Sequence, residues 1–135
     1  MISGEGLTEG IRRITAGSGV DIVIESIGGA VTSQALSSLG LGGVLITLGY
    51  SAGRKTTIDV TDLIWKRARM EGFSLFAQSP TAIATAWRDI IPVIASGSVR
   101  PIVERVYPLS EAGEALRHLV EDRPFGKVVL AGGSI

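Results

Sequence analysis

The chain has 135 residues, enough for one domain with a core of its own and too few for two. Thirteen Lys and Arg balance thirteen Asp and Glu, so no net field draws it to nucleic acid or to an anionic membrane surface. It has no cysteine and a single histidine, His118, which excludes disulfides, a thiolate nucleophile, and Cys-ligated or His-based metal sites built from these residues alone.

Leu7, Ile11 and Ile14 recur at helical spacing, with Glu9, Arg12 and Arg13 off that stripe, so a helix is predicted over about 6–16, closed by Gly17 and Gly19. "VDIVIES" follows as a β-branched run of the kind found in a strand buried on both faces. A short helix over 30–40 carries Val31, Ala35 and Leu39 on one side, and "GGVLITLGY" (42–50) is a second strand. Crossovers of this length imply parallel βαβ units, in which ligands bind beyond the carboxyl ends of the strands. Both ends here, "ESIGG" and "LGYSAG", carry small and hydroxyl residues that let a ligand approach the backbone.

Asp59 or Thr61 can cap a helix running to about Arg67, after which "MEGFSLF" reads as a strand. The longest helix follows, with Ser79 as cap, Pro80 at its first position, Gly97 as terminator and Pro92 inside it as a possible kink or break. "VRPIVERVYPL" suits an edge strand or an irregular arm, a helix begins at Ser110, and "KVVLAG" is the last strand. No apolar run reaches the roughly 18–20 residues of a membrane span. "MISGEGLTEG" lacks the features of a signal peptide, so a cytoplasmic location is expected. Apolar residues at 45% and a mean hydropathy of +0.37 are high for a small monomer and call for a partner surface.

Four stretches, "GVDIVIESIGG", "LGLGGVLITLGYSAG", "MEGFSLF" and "ASGSVRPIVERVYPLSEAGEALRHLVEDRPFGKVVL", together resemble the C-terminal half of the medium-chain dehydrogenase/reductase family, in its zinc-independent quinone oxidoreductase branch. The resemblance implies an α/β fold, a partial Rossmann-type, doubly wound and mainly parallel sheet flanked by helices. It further implies a single truncated nucleotide-binding domain over 1–135 with a C-terminal arm, starting after the second Rossmann strand. The family's catalytic barrel and Gly-rich phosphate turn are not among these residues. The implied activity is hydride transfer from NADP(H) to a conjugated carbonyl. The NAD/NADP choice stays open, because the strand end that reads the ribose 2′ position is absent too. Rival readings are an enoyl reductase module, part of a zinc alcohol dehydrogenase, or a non-catalytic, self-associating fragment with little or no cofactor binding.

The family loop near the nicotinamide nominates Ser26, Gly28 and Gly29, although on the residues alone these glycines equally serve a plain strand-to-helix turn. By the same resemblance Gly49, Tyr50 and Ser51 run beside the nicotinamide ribose, with an exposed loop containing a lone tyrosine the alternative. Leu75, Phe76 and Ala77 lie by the carboxamide, with core packing the alternative, and Lys127 is nominated as a further cofactor contact, with a solvated edge residue the alternative. No catalytic residue is nominated. Glu25, at a strand end, reads as a helix cap, and His118 as a surface or boundary residue with no partner to make it a general base. No metal is expected in this chain. A homodimer is expected through the low-charge edge strand 71–77.

Overall fold

The computed structural model of the protein describes residues 6–133, so part of the N-terminal stretch in which a signal peptide was looked for lies outside the described residues. The chain divides into two compact units, Met1–Gln78 and Ser79–Ile135.

The first unit runs α1 (Leu7–Ile14), β1 (Val20–Glu25), α2 (Ala30–Ser37), β2 (Leu39–Thr47), α3 (Val60–Lys66) and β3 (Arg69–Gly72), ending in a 3-10 turn at Leu75–Ala77. The strands form one parallel sheet in the order β1-β2-β3, as the helix-length crossovers require. The register sets Val23 beside Leu45 and Ile24 beside Ile46, so alternate residues define two faces. On one face Ala35 and Leu36 of α2 close over Leu39 and Leu45, with Val20, Val23, Ile58, Leu63 and Ala68 packed around them. Two polar contacts join the covering helices: Ser37 donates to Asp62 at 2.6 Å, and Lys66, paired with Asp62 at 2.9 Å, donates to the Ser37 carbonyl at 2.6 Å.

Three expectations need correction here. β1 is not buried on both faces: Ile22 and Ile24 are 63% and 71% exposed, because the core of this unit forms only on the Val23 and Leu45 side of the sheet. β2 begins at Leu39 and ends at Thr47, since the Ser38 carbonyl already accepts the Val20 amide and the ladder starts there. β3 stops at Gly72, and only Glu71 and Gly72 of the expected 71–77 strand lie in the ladder. Phe73 makes a last amide bond to Thr47, and the Ser74 and Leu75 carbonyls then turn back to accept from Ala77 and Gln78. Asp59, rather than Thr61, caps α3, accepting the Thr61 amide at 2.9 Å.

The second unit contains α4 (Pro80–Ala95), β4 (Val103–Pro108), α5 (Ala112–Glu121) and β5 (Lys127–Ala131), with a 3-10 turn at Leu109–Glu111 before α5. Ser79 caps α4 through the Ala82 amide at 3.1 Å, and the helix continues for three residues past Pro92 before Gly97 ends it. β4 and β5 pair in parallel, so the stretch foreseen as an edge strand or arm is a strand. Among the described residues its only buried apolar ones are Tyr107 on β4 and Ala115 on α5.

The two sheet faces of the first unit predict different mutational costs. Leu45→Ala, at a fully buried site, is expected to cost about 3 kcal/mol. Ile24→Thr, on the bare face, is expected to cost less than about 1 kcal/mol. Urea unfolding of the two variants measures the difference, and equal losses would contradict a core built on one face.

Candidate functional site

β1 ends in Glu25, whose side chain is buried. One carboxylate oxygen accepts the Gly28 amide at 2.6 Å and the Ile27 amide; the other accepts the hydroxyls of Thr32 at 3.0 Å and Thr47 at 3.3 Å. Burial alone pushes this carboxyl's pKa up, but the two amides and then the two hydroxyls outweigh it and hold it below the ordinary value of 4.5. Glu25 therefore stays ionised at neutral pH and ties three segments together: its own loop, the first turn of α2, and the end of β2. The helix-cap reading of Glu25 captured only part of this role.

The loop after β1 is joined to the loop after β2 through backbone. Ala52 donates to the Ile27 carbonyl at 2.6 Å, Gly29 to Gly53 at 3.0 Å, and Leu48 to Glu25 at 2.8 Å. Gly49 and Gly28 are small because the loops touch. A Cβ on Gly49 would lie 2.8 Å from the Ser26 carbonyl carbon, and one on Gly28, at φ +77°, would lie 2.7 Å from the Tyr50 Cα. Tyr50 projects outward, with the Arg54 guanidinium 5.5 Å from its ring centroid.

Two hollows open at the carboxyl ends of the strands. The larger, about 830 Å³, lies between residues 47–50 and 72–76 and is lined by Leu48, Gly49, Tyr50, Phe73, Leu75 and Phe76, with no charged side chain. The smaller, about 270 Å³, takes in Gly28, Gly29, Thr32 and Tyr50, with Arg54 and Lys55 on its rim. Gly28, Gly29, Gly49, Tyr50, Leu75 and Phe76 are thus brought to one end of the sheet. Ser26 and Ser51 are exposed on the same loops but line neither hollow, and neither does Ala77 at the close of its 3-10 turn. Lys127 begins β5 in the other unit. Thr32, Thr47, Leu48 and Phe73 were missed. Thr32 and Thr47 were legible only as generic hydroxyls, because what selects them is their distance to Glu25.

His118 departs from expectation. Its Nδ1 lies 2.7 Å from Asp122 and its Nε2 2.8 Å from Glu104, so it has two carboxylate partners where none was foreseen. These two contacts raise its pKa. No group of three or more His, Cys, Asp and Glu able to hold a metal ion occurs among the described residues.

Parallel strands whose carboxyl-end loops surround an apolar hollow give the first unit a Rossmann-type architecture. The chain belongs to the zinc-binding dehydrogenase family, within the medium-chain dehydrogenases/reductases, whose model matches residues 4–130. It is 24% identical over 135 residues to quinone oxidoreductase-like protein 2 of Bos taurus, a match covering 93% of this chain and 37% of that one. Among solved structures, an NAD-dependent alcohol dehydrogenase and a 2-haloacrylate reductase each superpose with a TM-score of 0.75 at 25% identity. Each superposition covers 98% of this chain, and 37% and 42% of the respective structures. The chain therefore spans well under half the length of the relatives it matches.

The buried carboxylate makes a testable claim. Glu25→Gln brings two amide hydrogens among four donors, and is expected to lower stability at pH 7 by about 2–3 kcal/mol. Because the folded pKa is depressed, the contribution of Glu25 is present above its ordinary value of 4.5 and is lost as pH falls through the lower folded value. Unfolding midpoints between pH 3 and 7 should therefore show a shallower acid limb in the variant. An identical acid limb would refute the role.

Proposed function

We propose that the chain supplies the nicotinamide-facing part of the cofactor domain of an NADP(H)-dependent quinone or enone reductase, which transfers hydride to a conjugated carbonyl. The observation that carries this reading is the meeting of two strand ends, those of β2 and β3, at one uncharged hollow lined by Gly49, Tyr50, Leu75 and Phe76. A bound nicotinamide would supply the hydride. The protein's part is to offer flat apolar contacts to the ring, the backbone of 73–76 to the carboxamide, and a surface that excludes water. The names of the quinone oxidoreductase-like relative and of the 2-haloacrylate reductase support this substrate class. The sequence holds no Gly-x-Gly-x-x-Gly turn to grip a pyrophosphate, so weak cofactor affinity and no turnover are expected of the chain by itself.

Titration with NADPH and with NADH, followed by nicotinamide fluorescence, tests the reading. Saturable binding of NADPH in the high-micromolar to millimolar range is expected, weaker for NADH and abolished by Gly49→Val. No fluorescence change up to about 1 mM of either cofactor, a binding free energy of about −4 kcal/mol, would favour a non-catalytic fragment.

The reading includes a homodimer, supported by the position of β3 as the outer strand of its sheet. Antiparallel pairing of two copies centred on Met70 sets Arg69 of each opposite Glu71 of the other, so opposite charges face across the new ladder. This places the pairing on 69–72, where the strand is, instead of on 71–77. Glu71→Arg is expected to shift sedimentation toward monomer, and adding Arg69→Glu to restore the dimer. A strict monomer at micromolar concentration would rule the pairing out.

A further inference from the structure

In the second unit the imidazole of His118 on α5 is held between two carboxylates on different segments, Glu104 of β4 at 2.8 Å and Asp122 just past the end of α5 at 2.7 Å. A neutral imidazole has one N–H and one bare nitrogen, and a carboxylate only accepts. Both contacts can be hydrogen bonds together only when both ring nitrogens carry a proton. Loss of that proton leaves one carboxylate facing a lone pair at under 3 Å, and one contact must open.

We infer that His118 is a proton-operated clamp: as imidazolium it fastens α5 to β4 through Glu104, and on deprotonation it releases one of its two carboxylates and loosens the helix. The surroundings hold the proton in place. Around the ring, α5 contributes Glu114, Arg117 and Glu121 and β4 contributes Arg105 and Tyr107. Counting Glu104 and Asp122, four carboxylates stand against two guanidiniums. Arg105 is drawn off over the Tyr107 ring, 4.8 Å from its centroid, instead of pairing with either carboxylate of the clamp. The other segments packed on α5 bring Glu111, from the turn before it, and Lys127, at the start of β5. The ring itself is sheltered, with a side-chain exposure of 15%, and its centroid lies 6.1 Å from that of buried Tyr107.

The clamp matters because this unit has little else to hold it. Tyr107 and Ala115 are its only buried apolar residues among those described, so a polar fastening carries a large share of the α5 docking. The sign follows from the raised pKa: the stabilisation is complete below the ordinary histidine value of 6.5 and is lost as pH rises through the higher folded value. A unit of this kind is firm in mildly acidic solution and loosens toward alkaline pH.

His118 is the sole histidine, so its ring resonances in a proton–carbon NMR spectrum of the full chain need no assignment. The experiment follows them from pH 5 to 9 alongside hydrogen exchange of the α5 amides. The expected results are a ring midpoint above 6.5 and a fall in α5 protection of roughly threefold or more as the ring deprotonates, with α2 and α3 unaffected. His118→Gln, which keeps one donor and one acceptor, should hold α5 at the loosened level at every pH. Glu104→Gln, a milder change, should lower the ring midpoint while preserving the fold. A midpoint at or below 6.5, or α5 protection that ignores the titration, would overturn the clamp.

Discussion

The first unit is organised around a carboxylate that cannot leave. Glu25 lies at the end of β1, out of water, and its charge is tolerated only because two amides and two hydroxyls converge on it. Each donor comes from a segment that must be in place: the turn at 27–28, the first turn of α2, the last residue of β2. Thr47 extends the chain of dependence, since its carbonyl accepts the amide of Phe73 beyond β3. Three strand ends are thereby held in relation to one buried charge. The cost of leaving any of these partners unmatched in a low-dielectric setting is what makes the arrangement specific.

That constraint explains the character of the hollow. The loops at 26–29 and 49–53 lie so close that glycine is required where they touch, and two backbone hydrogen bonds tie them together while the Ile27 and Gly28 amides go to Glu25. Polar atoms are thus used to build the loops, and the residues left to face outward are mostly apolar: Leu48, Tyr50, Phe73, Leu75 and Phe76. Phe76 is fully exposed. An uncharged surface beside rigid backbone suits the flat ring of a redox cofactor better than it suits acid–base chemistry, which needs titratable groups in reach of a substrate. Glu25, the one perturbed acid nearby, is fully occupied by its four donors.

The second unit is held by a different balance. Two parallel strands and two helices bury almost nothing apolar among the described residues, and a short sheet of this size is marginal without further support. Electrostatics takes a larger part there, through the imidazole of His118 between its carboxylates. Ordinary helix and strand signals were enough to place α5 and β5, but nothing in "EALRHLVE" showed that Glu104, fourteen residues earlier, would meet the ring.

Local signals in the sequence determined the elements. Helical spacing of Leu7, Ile11 and Ile14, the cap at Ser79 with Pro80 behind it, and the β-branched run at 20–24 each act within a few residues, and each element formed where they stood. The parallel arrangement also followed from crossover length, and the two hollows lie at the carboxyl ends of the strands because that is where parallel sheets open their loops. What only the tertiary structure decided is everything that depends on distance across the chain. The alternation in β1 cannot say which face is covered, since coverage is supplied by α2 and α3. "MEGFSLF" has strand propensity throughout, yet its ladder ends where the partner strand β2 runs out at Thr47. On the residues alone the glycines at 28 and 29 read equally as turn formers or ligand contacts, and only the tertiary structure shows the opposing loop filling the space beside them. Hydrogen bonds and close packing act over about 3 to 4 Å, and which residues come that close is fixed by the fold as a whole.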